Sequence, residues 1–382
     1  MFIETSNAYG RDLVEGVSSY LRTHGGWSVF LEPGSVHFPP PGWLARWQGD
    51  GILTRWTNPG WAKLLARKGL PAVDLNDHFG FLGLPRVGSD MDAIGRMAAD
   101  HLLERGFHHI AFCGYEDAAW SAGRQTGVER AVNGRGVLCG VFNSPVPHKR
   151  KGGWERERDQ LARWVAALPR PVGIVACSDV RGWQLLDAVR GLDIVVPEEV
   201  AVVGVDNDQT CCGIASPPLS SVRPNAVRIG YEAAALLDRL MAGRNASDQE
   251  ILVPPQDVVL RQSTDVTAVA DPLVARALML IRSHACDGWT VEDLLGELRT
   301  TRTVLERRFR RHIGVSPHEQ LVRVRASRVK QLLLETDWTL ERIAEEAGYS
   351  RPEYLTVQFT RLAGEPPSKW RARYRVPSTD GR

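Results

Sequence analysis

The stretch TLERIAEEAGYSRPEYLTVQFTRLAGEPPSKWRARY, residues 339–374, decides the fold of the C-terminal part of this chain. Its beginning predicts a short helix, because Ile343 and Ala347 recur at helical spacing after Thr339, a good N-cap residue. Gly348 then predicts a sharp turn, since glycine readily adopts the left-handed backbone conformation that such a turn needs.

The residues after this turn predict a second helix. Ser350 can cap it, and Glu353 stands at the capping-box position. Its predicted buried side consists of Tyr354, Leu355 and Phe359. Two helices joined in this way form a helix-turn-helix, which presents the start of its second helix to the DNA major groove. The alternative interpretation is a plain helical hairpin.

Upstream residues repeat this plan. VEDLLGELRTTRTVLERRF (291–309) predicts a similar helix pair, and residues 316–335 predict one long helix between the two units. With GVSPHEQLVRVRASRVKQLLLET (314–336) and GEPPSKWR (364–371), these stretches resemble the DNA-binding module of the AraC/XylS family of transcription regulators. The resemblance runs from about residue 271 to residue 375, and it implies two helix-turn-helix units joined by a long helix.

The first unit departs from the family pattern at its turn. The second unit has the small Ala344 and then Gly348, whereas the first has Leu295 and Arg299 at these positions. A non-glycine residue held at positive φ costs roughly 1 kcal/mol or more. We therefore expect either an altered turn or a tolerated strain in the first unit.

The two recognition helices are expected to contact DNA mainly through their N-terminal parts. The residues expected to contact bases are Arg302, Thr303 and Glu306 in the first unit and Ser350, Arg351, Glu353 and Thr356 in the second. Those expected to contact phosphates, which position the protein without reading sequence, are Arg307, Arg308, Arg310 and Arg311.

Charge and cysteine usage fit an intracellular DNA-binding protein. The net charge of the 382 residues is +2, but residues 271–382 hold 20 Lys and Arg against 15 Asp and Glu, and residues 1–270 hold 27 against 30. The basic excess lies where phosphates are expected. The six cysteines form no C-x-x-C pair, and no signal peptide or membrane span is evident. We expect free thiols, no metal, no cofactor, no membrane partner and a cytoplasmic location.

Residues 1–262 alternate short apolar runs with amphipathic helices. The runs predict strands at 28–32, 51–54, 72–75, 109–114, 136–142, 173–178, 200–206 and 220–224. This alternation predicts an α/β fold of parallel sheets flanked by helices, and so many strands suit two lobes better than one sheet.

Polar residues stand where several predicted strands end. They include Asp74, Ser178 and Asp206. Because ligands bind at the carboxyl ends of strands in open α/β sheets, two facing lobes would bring these side chains to one cleft. No glycine-rich phosphate motif and no G-x-S-x-G follows a strand, so neither a nucleotide site nor a serine hydrolase is supported.

Four stretches of this part resemble the sugar-sensing domain of LacI/GalR-type repressors, which shares the periplasmic sugar-binding-protein fold. They are NAYGRDLVEGV (7–17), VGSDMDAIGRMAADHLLERGFHHIAFCG (87–114), VACSDVRGWQLLDAV (175–189) and PEEVAVVGVDNDQTCCGIASPPLSSVRPNAVRIGYEAAALLDRLMAG (197–243). Such a sensor in front of an AraC/XylS module is the arrangement of the bacterial xylose-operon regulators. The resemblance covers nearly the whole chain.

The resemblance implies a set of sugar contacts. Asp74, Arg124 and Asp206 match positions that grip sugar hydroxyls, and such charge-assisted hydrogen bonds are strong in a dry cleft. Ser178 stands where a longer ligand, usually asparagine, is found. Further contacts are expected from Trp120, Tyr9 and Asn7, although a tryptophan can equally fill a core. Asp92 and Asp179 are expected to cap helices.

The expected organisation is a two-lobed sensor, a short linker and a DNA-binding domain. The sensor spans 1–262, with lobe one at about 1–107 and 224–246 and lobe two at about 108–223 and 247–262. The linker spans 263–271, the DNA-binding domain 272–376 and a tail 377–382. Because only Met1–Ile3 precede Glu4, either the first strand is very short or the start codon lies upstream, and we favour the latter.

The sequence thus predicts a sugar-responsive transcription regulator rather than an enzyme. Its expected partners are a pentose, with D-xylose as first candidate, double-stranded operator DNA, a second copy of the chain in a homodimer, and RNA polymerase if it activates. One alternative is a sugar-binding or scaffold protein whose DNA module has decayed. Another is an amidase-like enzyme with Cys113 or Cys177 as nucleophile, but such a nucleophile needs a nearby base.

Overall fold

The structure is a computed structural model, and it describes residues 1–32, 39–149, 153–243, 250–265 and 271–374. The chain divides into two compact units, Met1–Ala268 and Val269–Arg382. The first unit is α/β and the second is helical, which confirms the predicted fold class. The predicted tail and residues 266–270 of the predicted linker lie outside the described residues.

The first lobe of the sensor is built on a four-stranded parallel sheet. In spatial order its strands are β1 (Ile52–Thr54), β2 (Ala72–Asp74), β3 (Arg86–Ser89) and β9 (Glu250–Val253). Its helices are α1 (Ala8–His24), α2 (Pro59–Lys68) and α8 (Ala226–Met241). The strand predicted at 28–32 is wrong: only Glu32 pairs, through a single bridge to Phe2, which also bridges Thr54. Val29 and Phe30 are exposed, so this apolar run has no sheet to enter.

The second lobe is built on a six-stranded sheet. In spatial order its strands are β10 (Asp257–Val259), β8 (Ser220–Arg223), β7 (Val200–Val205), β6 (Val172–Ala176), β4 (His109–Tyr115) and β5 (Val137–Ser144). All pairings are parallel except that of β10 with β8. Its helices are α3 (Met91–Leu103), α4 (Ala119–Val132), α5 (Gly153–Ala167), α6 (Asp179–Val189) and α7 (Gln209–Ile214). Every residue of β6 and β7 is buried, as expected for central parallel strands.

Two of the predicted lobe boundaries are wrong. The sequence assigns residues 91–107 to lobe one, but α3 packs in lobe two, where Ile94 shares a buried cluster with Phe112. The sequence assigns residues 247–262 to lobe two, but β9 pairs with β3 in the first sheet. Hydrophobic spacing identifies an element, whereas the sheet that it joins depends on distant residues.

Close contact between α3 and α4 fixes the position of α4. A Cβ atom at Gly95 would overlap the backbone carbonyl of Arg124, and one at Gly127 would overlap that of Asp92. The two backbones can therefore touch only because both positions are glycine. This contact fixes where Arg124 lies relative to the strands of lobe two.

Three chain crossings join the lobes, at residues 89–90, 223–226 and 253–257. Backbone hydrogen bonds tie the crossings together: the Asp90 N–H donates to the Val253 carbonyl and the Gln256 N–H to the Arg223 carbonyl, each over 2.9 Å. Motion of one lobe against the other is thereby confined to a narrow set of backbone torsions.

The described part of the C-terminal unit contains seven α-helices: α9 (Pro272–His284), α10 (Val291–Leu298), α11 (Arg302–Ile313), α12 (Pro317–Glu335), α13 (Leu340–Glu346), α14 (Pro352–Ala363) and α15 (Pro367–Tyr374). The predicted start of α9 is confirmed, because the Asp271 side chain caps it and Pro272 is its first residue. The predicted long helix is α12, which starts with a capping box of Ser316 and Glu319.

The turn of the first helix-turn-helix keeps a left-handed residue without glycine. Arg299, which follows α10, has φ 48° and ψ 46°, and its N–H bonds to the carbonyls of Leu295 and Gly296. The corresponding Gly348 has φ 73°. Of the two alternatives left open by the sequence, the structure therefore shows the strained residue.

We expect Arg299→Gly to raise the free energy of unfolding of the C-terminal unit by roughly 0.5–1 kcal/mol, because glycine adopts positive φ without a Cβ penalty. Urea unfolding followed by circular dichroism measures this change. Arg299→Ala is the control, since it removes the exposed side chain but keeps the Cβ atom. An equal gain from alanine would assign the effect to the guanidinium instead of the backbone.

The second helix-turn-helix begins as predicted, with the Thr339 side chain capping α13. The predicted capping box of α14 is wrong: Arg351 rather than Ser350 is the N-cap residue, and no side chain caps the helix. Pro352 at the first helical position has no N–H to satisfy, which reduces the need for a cap. On the predicted buried side, Leu355 and Phe359 are buried, whereas Tyr354 is 42% exposed.

Candidate sugar cleft and DNA-binding surface

An ion pair lies at the carboxyl ends of the lobe-two strands. Nη2 of Arg124, from α4, lies 3.3 Å from Oδ1 of Asp206, which follows β7. The guanidinium also bonds the Cys177 carbonyl and lies over the Trp120 ring, 5.0 Å from its centroid. Arg124 is 4% exposed, so its orientation is fixed by these three partners. The predicted residues Arg124, Trp120 and Asp206 are thus brought together.

The backbone that carries Asp206 is unusual. Asp206 has φ 110° and the following Asn207 has φ 50°. Such conformations cost of order 1–3 kcal/mol each for non-glycine residues and concentrate at functional sites. Burial raises the pKa of Asp206, and the Arg124 guanidinium opposes that shift. The turn therefore holds a poorly solvated carboxylate in one fixed direction.

Asp74 lies at the carboxyl end of β2 in lobe one. It is 2% exposed, and its Oδ1 accepts a hydrogen bond of 2.9 Å from the Asn76 N–H. Burial raises its pKa to about 6, while the Thr57 hydroxyl, the Asn76 N–H and the Arg86 charge act against that rise. A sugar hydroxyl would supply a further donor to this carboxylate.

Arg55 and Asp77 lie close to these residues although they were not among the predicted sugar contacts. The Arg55 guanidinium lies over the Tyr9 ring, 4.8 Å from its centroid, and 3.9 Å from Oδ2 of Asp77. Arg55 also lowers the pKa of Asp206, so its charge acts across the two lobes. Arg55 directly follows β1, and this position at the carboxyl end of a strand is the sequence signal that points to it.

The cleft contains buried polar atoms that lack a hydrogen bond in the described part of the chain. They are Nε of Arg55, Nε of Arg124 and Oδ1 of Asp77. Buried polar atoms are nearly always hydrogen-bonded in folded proteins, so these three atoms favour a polar ligand or ordered water beside them. Donors and acceptors are both present, which matches hydroxyl groups because each can donate and accept.

Three other predicted sugar contacts have structural partners. The Asn7 side chain caps α1, accepting a bond of 2.8 Å from Gly10 N–H, and Ser178 caps α6, accepting one of 3.3 Å from Arg181 N–H. The Tyr9 hydroxyl lies 2.9 Å from Oγ of Ser89. Their roles toward a sugar stay predictions.

The expectation that Asp92 and Asp179 cap helices is wrong. Asp90 caps α3, and Asp92 pairs with arginine side chains. Asp179 lies inside the first turn of α6 and accepts bonds from the Ser221 hydroxyl and the Asp208 N–H. Asp179 therefore links the start of α6 to β8 and to the residues that follow β7.

The cysteines proposed as nucleophiles do not have the surroundings of reactive thiols. Cys113 and Cys177 are fully buried. Burial raises the pKa of Cys113 to about 11 and that of Cys177 to about 12, whereas a nucleophilic cysteine needs a lowered pKa. Across the described residues, no group of three or more His, Cys, Asp or Glu could hold a metal ion. No helix in the described part of the chain is long and apolar enough to cross a bilayer.

On the first recognition helix, α11, three of the predicted DNA contacts are engaged in ion pairs within the unit. Arg302 pairs with Glu292, and its Nη1 lies 4.0 Å from Oε1 of Glu306. Arg308 is bonded to Asp271 over 3.0 Å, so it ties α11 to the start of α9 and does not project freely toward phosphates. The exposed predicted residues are Arg302, Thr303, Arg307, Arg310 and Arg311, whereas Glu306 and Arg308 are half-buried.

On the second recognition helix, α14, Glu353 is exposed, as are Ser350 and Arg351 just before it. Thr356 is only partly exposed, and its hydroxyl donates to the Pro352 carbonyl over 2.9 Å. Val357 was missed by the sequence analysis although it is 65% exposed. It lies two residues from each of the buried Leu355 and Phe359, which at 100° per residue places it on the opposite side.

Fold and sites together define a class of protein: a DNA-binding transcription regulator with a periplasmic-binding-protein-like sensor. Residues 99–264 match the periplasmic binding protein-like domain family, and residues 294–373 match the helix-turn-helix domain family. The chain is 30% identical over 384 residues to the xylose operon regulatory protein of Haemophilus influenzae, covering 97% of each. It is 29% identical to that of Escherichia coli K12, covering 97% of this chain and 96% of the relative.

The chain belongs to the family of xylose operon regulatory proteins, and it is a sugar-responsive, DNA-binding transcription regulator. A solved structure of the xylose-binding transcription activator xylR matches it with a TM-score of 0.83 and 28% identity, covering 98% of this chain and 97% of that one. A LacI family regulator from Enterococcus faecalis with bound ribose shares the sensor fold, with a TM-score of 0.54 and 19% identity over 70% of this chain.

Proposed function

We propose that this protein binds a small sugar, D-xylose first among candidates, between the lobes of its sensor and thereby changes its affinity for operator DNA. The observation that carries the proposal is the Arg124–Asp206 pair, with its neighbouring buried atoms that lack hydrogen bonds. The names of full-length relatives, which are xylose operon regulatory proteins, support D-xylose as the first sugar to test.

Closure of the two lobes is the proposed response to sugar. Arg124 and Asp206 belong to lobe two, whereas Asp74 and Arg55 belong to lobe one. A sugar that bonds both sets binds the closed form better than the open form, and only such a difference in affinity can shift the populations. We infer that the sugar contacts also include Ser178, Trp120, Tyr9 and Asn7.

The proposed output is binding of a cytoplasmic homodimer to two operator half-sites, with contact to RNA polymerase if the protein activates. Base readout is assigned to Thr303 of α11 and to Ser350, Arg351, Glu353 and Thr356 around the start of α14. Arg302 and Glu306 contribute once their ion pairs rearrange, and Arg307, Arg310 and Arg311 contact phosphates. Val357 joins this surface, because an exposed methyl-bearing side chain suits the thymine methyl group.

Thermal unfolding with a panel of aldopentoses and hexoses tests the sugar. A ligand at 100 times its dissociation constant adds about 2.7 kcal/mol to the stability of its domain, which moves the melting temperature by several degrees. We expect D-xylose to give the largest shift. No shift with any sugar would contradict the proposed effector class.

Gel shift with DNA selected from a random pool tests the output. We expect retarded complexes whose affinity changes when the stabilising sugar is added. Sugar binding without DNA binding would instead support the alternative of a sugar-binding protein with a decayed DNA module.

Replacement of Asp74 separates its stability effect from its binding effect. Because its folded pKa is about 6 and its ordinary value is 3.8, folding favours the protonated form. Its contribution to stability is full below pH 3.8 and is lost as the pH rises through about 6. At each pH, the free energy of unfolding of Asp74→Asn is compared with that of the wild type by urea unfolding. We expect this difference to favour the variant by about 1–3 kcal/mol more at pH 8 than at pH 4.

The same variant is expected to bind D-xylose at least about 10-fold more weakly at pH 8, because the carboxylate acceptor is lost. Wild-type protein is the control for both measurements. A variant with lower stability at pH 8 and unchanged binding would show that Asp74 is a structural carboxylate only.

A further inference from the structure

The last described segment of the sensor, residues 261–265, is bonded closely to lobe two. The Arg261 guanidinium donates to Oδ1 of Asn207 over 2.8 Å and to the Leu219 carbonyl over 3.0 Å. Ser220 Oγ accepts from the Arg261 N–H and donates to the Arg261 carbonyl, both over 2.8 Å. Arg261 thus holds the segment to the rim of the sheet through side chain and backbone together.

Its partner Asn207 belongs to the strained turn of the sugar cleft. Asn207 follows Asp206 directly, and both residues have positive φ. The Asp206 carboxylate is bonded to Arg124 on one side of this turn, and the Asn207 amide is bonded to Arg261 on the other. A change in the position of Asp206 therefore cannot occur without moving the partner of Arg261 or breaking its hydrogen bond.

A directed chain of hydrogen bonds runs from His101 through Thr264 and Ser220 and ends at the Arg261 carbonyl. His101 Nδ1 lies 3.1 Å from Arg105 Nη1, an obligatory donor, so Nδ1 accepts and Nε2 carries the proton. His101 Nε2 then donates to the Thr264 hydroxyl over 2.8 Å, and that hydroxyl donates to Ser220 Oγ over 2.7 Å. Ser220 in turn donates to the Arg261 carbonyl.

This chain fixes the end of the sensor as one unit. Ser263 Oγ also donates to the Val202 carbonyl over 2.6 Å, and Ser263 and Thr264 are fully buried. Burial, with the Arg105 charge, lowers the pKa of His101 to about 3, which keeps the imidazole neutral and the chain direction constant. Asp265 is six residues before Asp271, which caps the first helix of the DNA-binding unit.

We propose that Arg261 is the positioning residue that couples the sugar cleft to the DNA-binding unit. When sugar hydroxyls donate hydrogen bonds to the Asp206 carboxylate, the 206–207 turn moves, and Arg261 passes the displacement to residues 261–265. Only five residues, 266–270, separate this segment from Asp271 in the sequence, and so short a connection absorbs less displacement than a long flexible tether would. The inference rests on the proposed sugar cleft, and it names the residue that links the cleft to the output.

Two substitutions cut the proposed link from opposite ends. Arg261→Ala removes the donor, and Asn207→Gly removes the acceptor while relieving the strain of φ 50°. The matched control is Arg170→Ala, which removes an ion pair of 3.5 Å with Glu199 on the same lobe. Melting temperatures of all variants establish that each one folds.

The first measurement needs neither sugar nor DNA. Hydrogen–deuterium exchange of the peptide that covers residues 261–265 is compared between wild type and Asn207→Gly. We expect exchange about 10-fold faster in the variant, because the loss of one anchor opens the segment locally. Unchanged exchange, with Arg170→Ala also unchanged, would overturn the proposal.

The second measurement is the coupling between sugar and DNA. The dissociation constant for a duplex selected by the wild-type protein is determined with and without saturating D-xylose, and the ratio is the coupling factor, typically about 5–150. We expect Arg261→Ala and Asn207→Gly to bring this ratio to within about 2-fold of unity, with D-xylose still bound within about 5-fold of the wild-type affinity. The double variant should show no further loss.

A coupling factor that stays at the wild-type value in Arg261→Ala would also overturn the proposal. If D-xylose fails to shift the melting temperature of wild type, the proposed effector is wrong. The exchange measurement then decides alone whether the turn and the segment are linked.

Discussion

Gly348→Ala is expected to lower the free energy of unfolding of the C-terminal unit by about 2–4 kcal/mol and to abolish specific DNA binding. Gly348 has φ 73°, which an alanine adopts only with strain. A Cβ atom there would also lie 2.5 Å from the Ala285 carbonyl oxygen and 2.7 Å from that of Cys286. The backbone that Gly348 approaches closely is therefore the turn after α9, which lies outside the second helix-turn-helix.

The obstructing backbone cannot yield easily. Arg325 of α12 donates to the Ala285 carbonyl over 2.7 Å and to the Trp289 carbonyl over 2.8 Å, which holds this turn in place. Relief of the overlap must then come from α13 and α14. A shift of α14 moves the whole surface offered to the major groove, so DNA binding is lost together with stability.

Gly364→Ala is the matched control for this variant. Gly364 follows α14 with φ 79°, but no atom lies within 4 Å of the added Cβ position. The free energy of unfolding of Gly364→Ala should fall by only about 1 kcal/mol, the cost of holding an alanine at positive φ, and this variant should still bind DNA. Urea unfolding and gel shift measure both variants, and equal losses of stability would show that the contact with residues 285–286 contributes nothing.

The second large effect is expected from Arg124→Ala, which should weaken D-xylose binding by about 100-fold or more. The substitution removes the proposed donor to the sugar and leaves the half-buried Asp206 carboxylate without its hydrogen-bonded counter-charge. Arg124 also contacts the Trp120 ring and the Cys177 carbonyl, so both neighbours lose support. Isothermal titration calorimetry at pH 7.5 measures the affinity.

Two further variants make this result interpretable. Arg130→Ala lies on the same helix, is 66% exposed on its side chain and removes only a surface pair with Asp92, so its affinity should stay within about 2-fold of wild type. Arg124→Lys keeps the charge but cannot reach Asp206, the Cys177 carbonyl and the Trp120 face at once, so an intermediate loss of about 10-fold is expected. Wild-type affinity in a folded Arg124→Ala would remove Arg124 from the sugar site.

The proposed sugar cleft combines backbone strain with buried carboxyl groups, and both favour stabilisation by a bound ligand. Asp206 and Asn207 occupy positive φ, and both Asp74 and Asp206 are carboxylates whose pKa is raised by burial. Such groups reduce stability without ligand and gain hydrogen bonds when a polar ligand arrives. The proposed cleft is therefore expected to be a region that ligand stabilises strongly.

Helix starts and turns were largely predictable because their causes are local. Thr339, Asp271 and Ser316 cap the helices that follow them, as their side chains can reach only nearby N–H groups. The strand-end rule likewise placed Asp74 and Asp206 at the sheet edge from a few neighbouring residues. The N-cap of α14 is Arg351 and not the predicted Ser350, because two candidate starts one residue apart differ little in energy.

Sequence alone thus determined the two-part organisation, the class of each fold and the strand-end positions of Asp74 and Asp206, since short-range spacing and capping encode them. Only tertiary structure decided that α3 and β9 belong to the opposite lobes from those predicted, and that Arg302 is paired with Glu292. It also decided that Arg55 acts on Asp206 and that Arg261 is bonded to Asn207. These contacts join residues of different elements, 10 residues apart for Arg302 and Glu292 and 54 for Arg261 and Asn207. They depend on how helices, sheets and lobes pack, which no local pattern specifies.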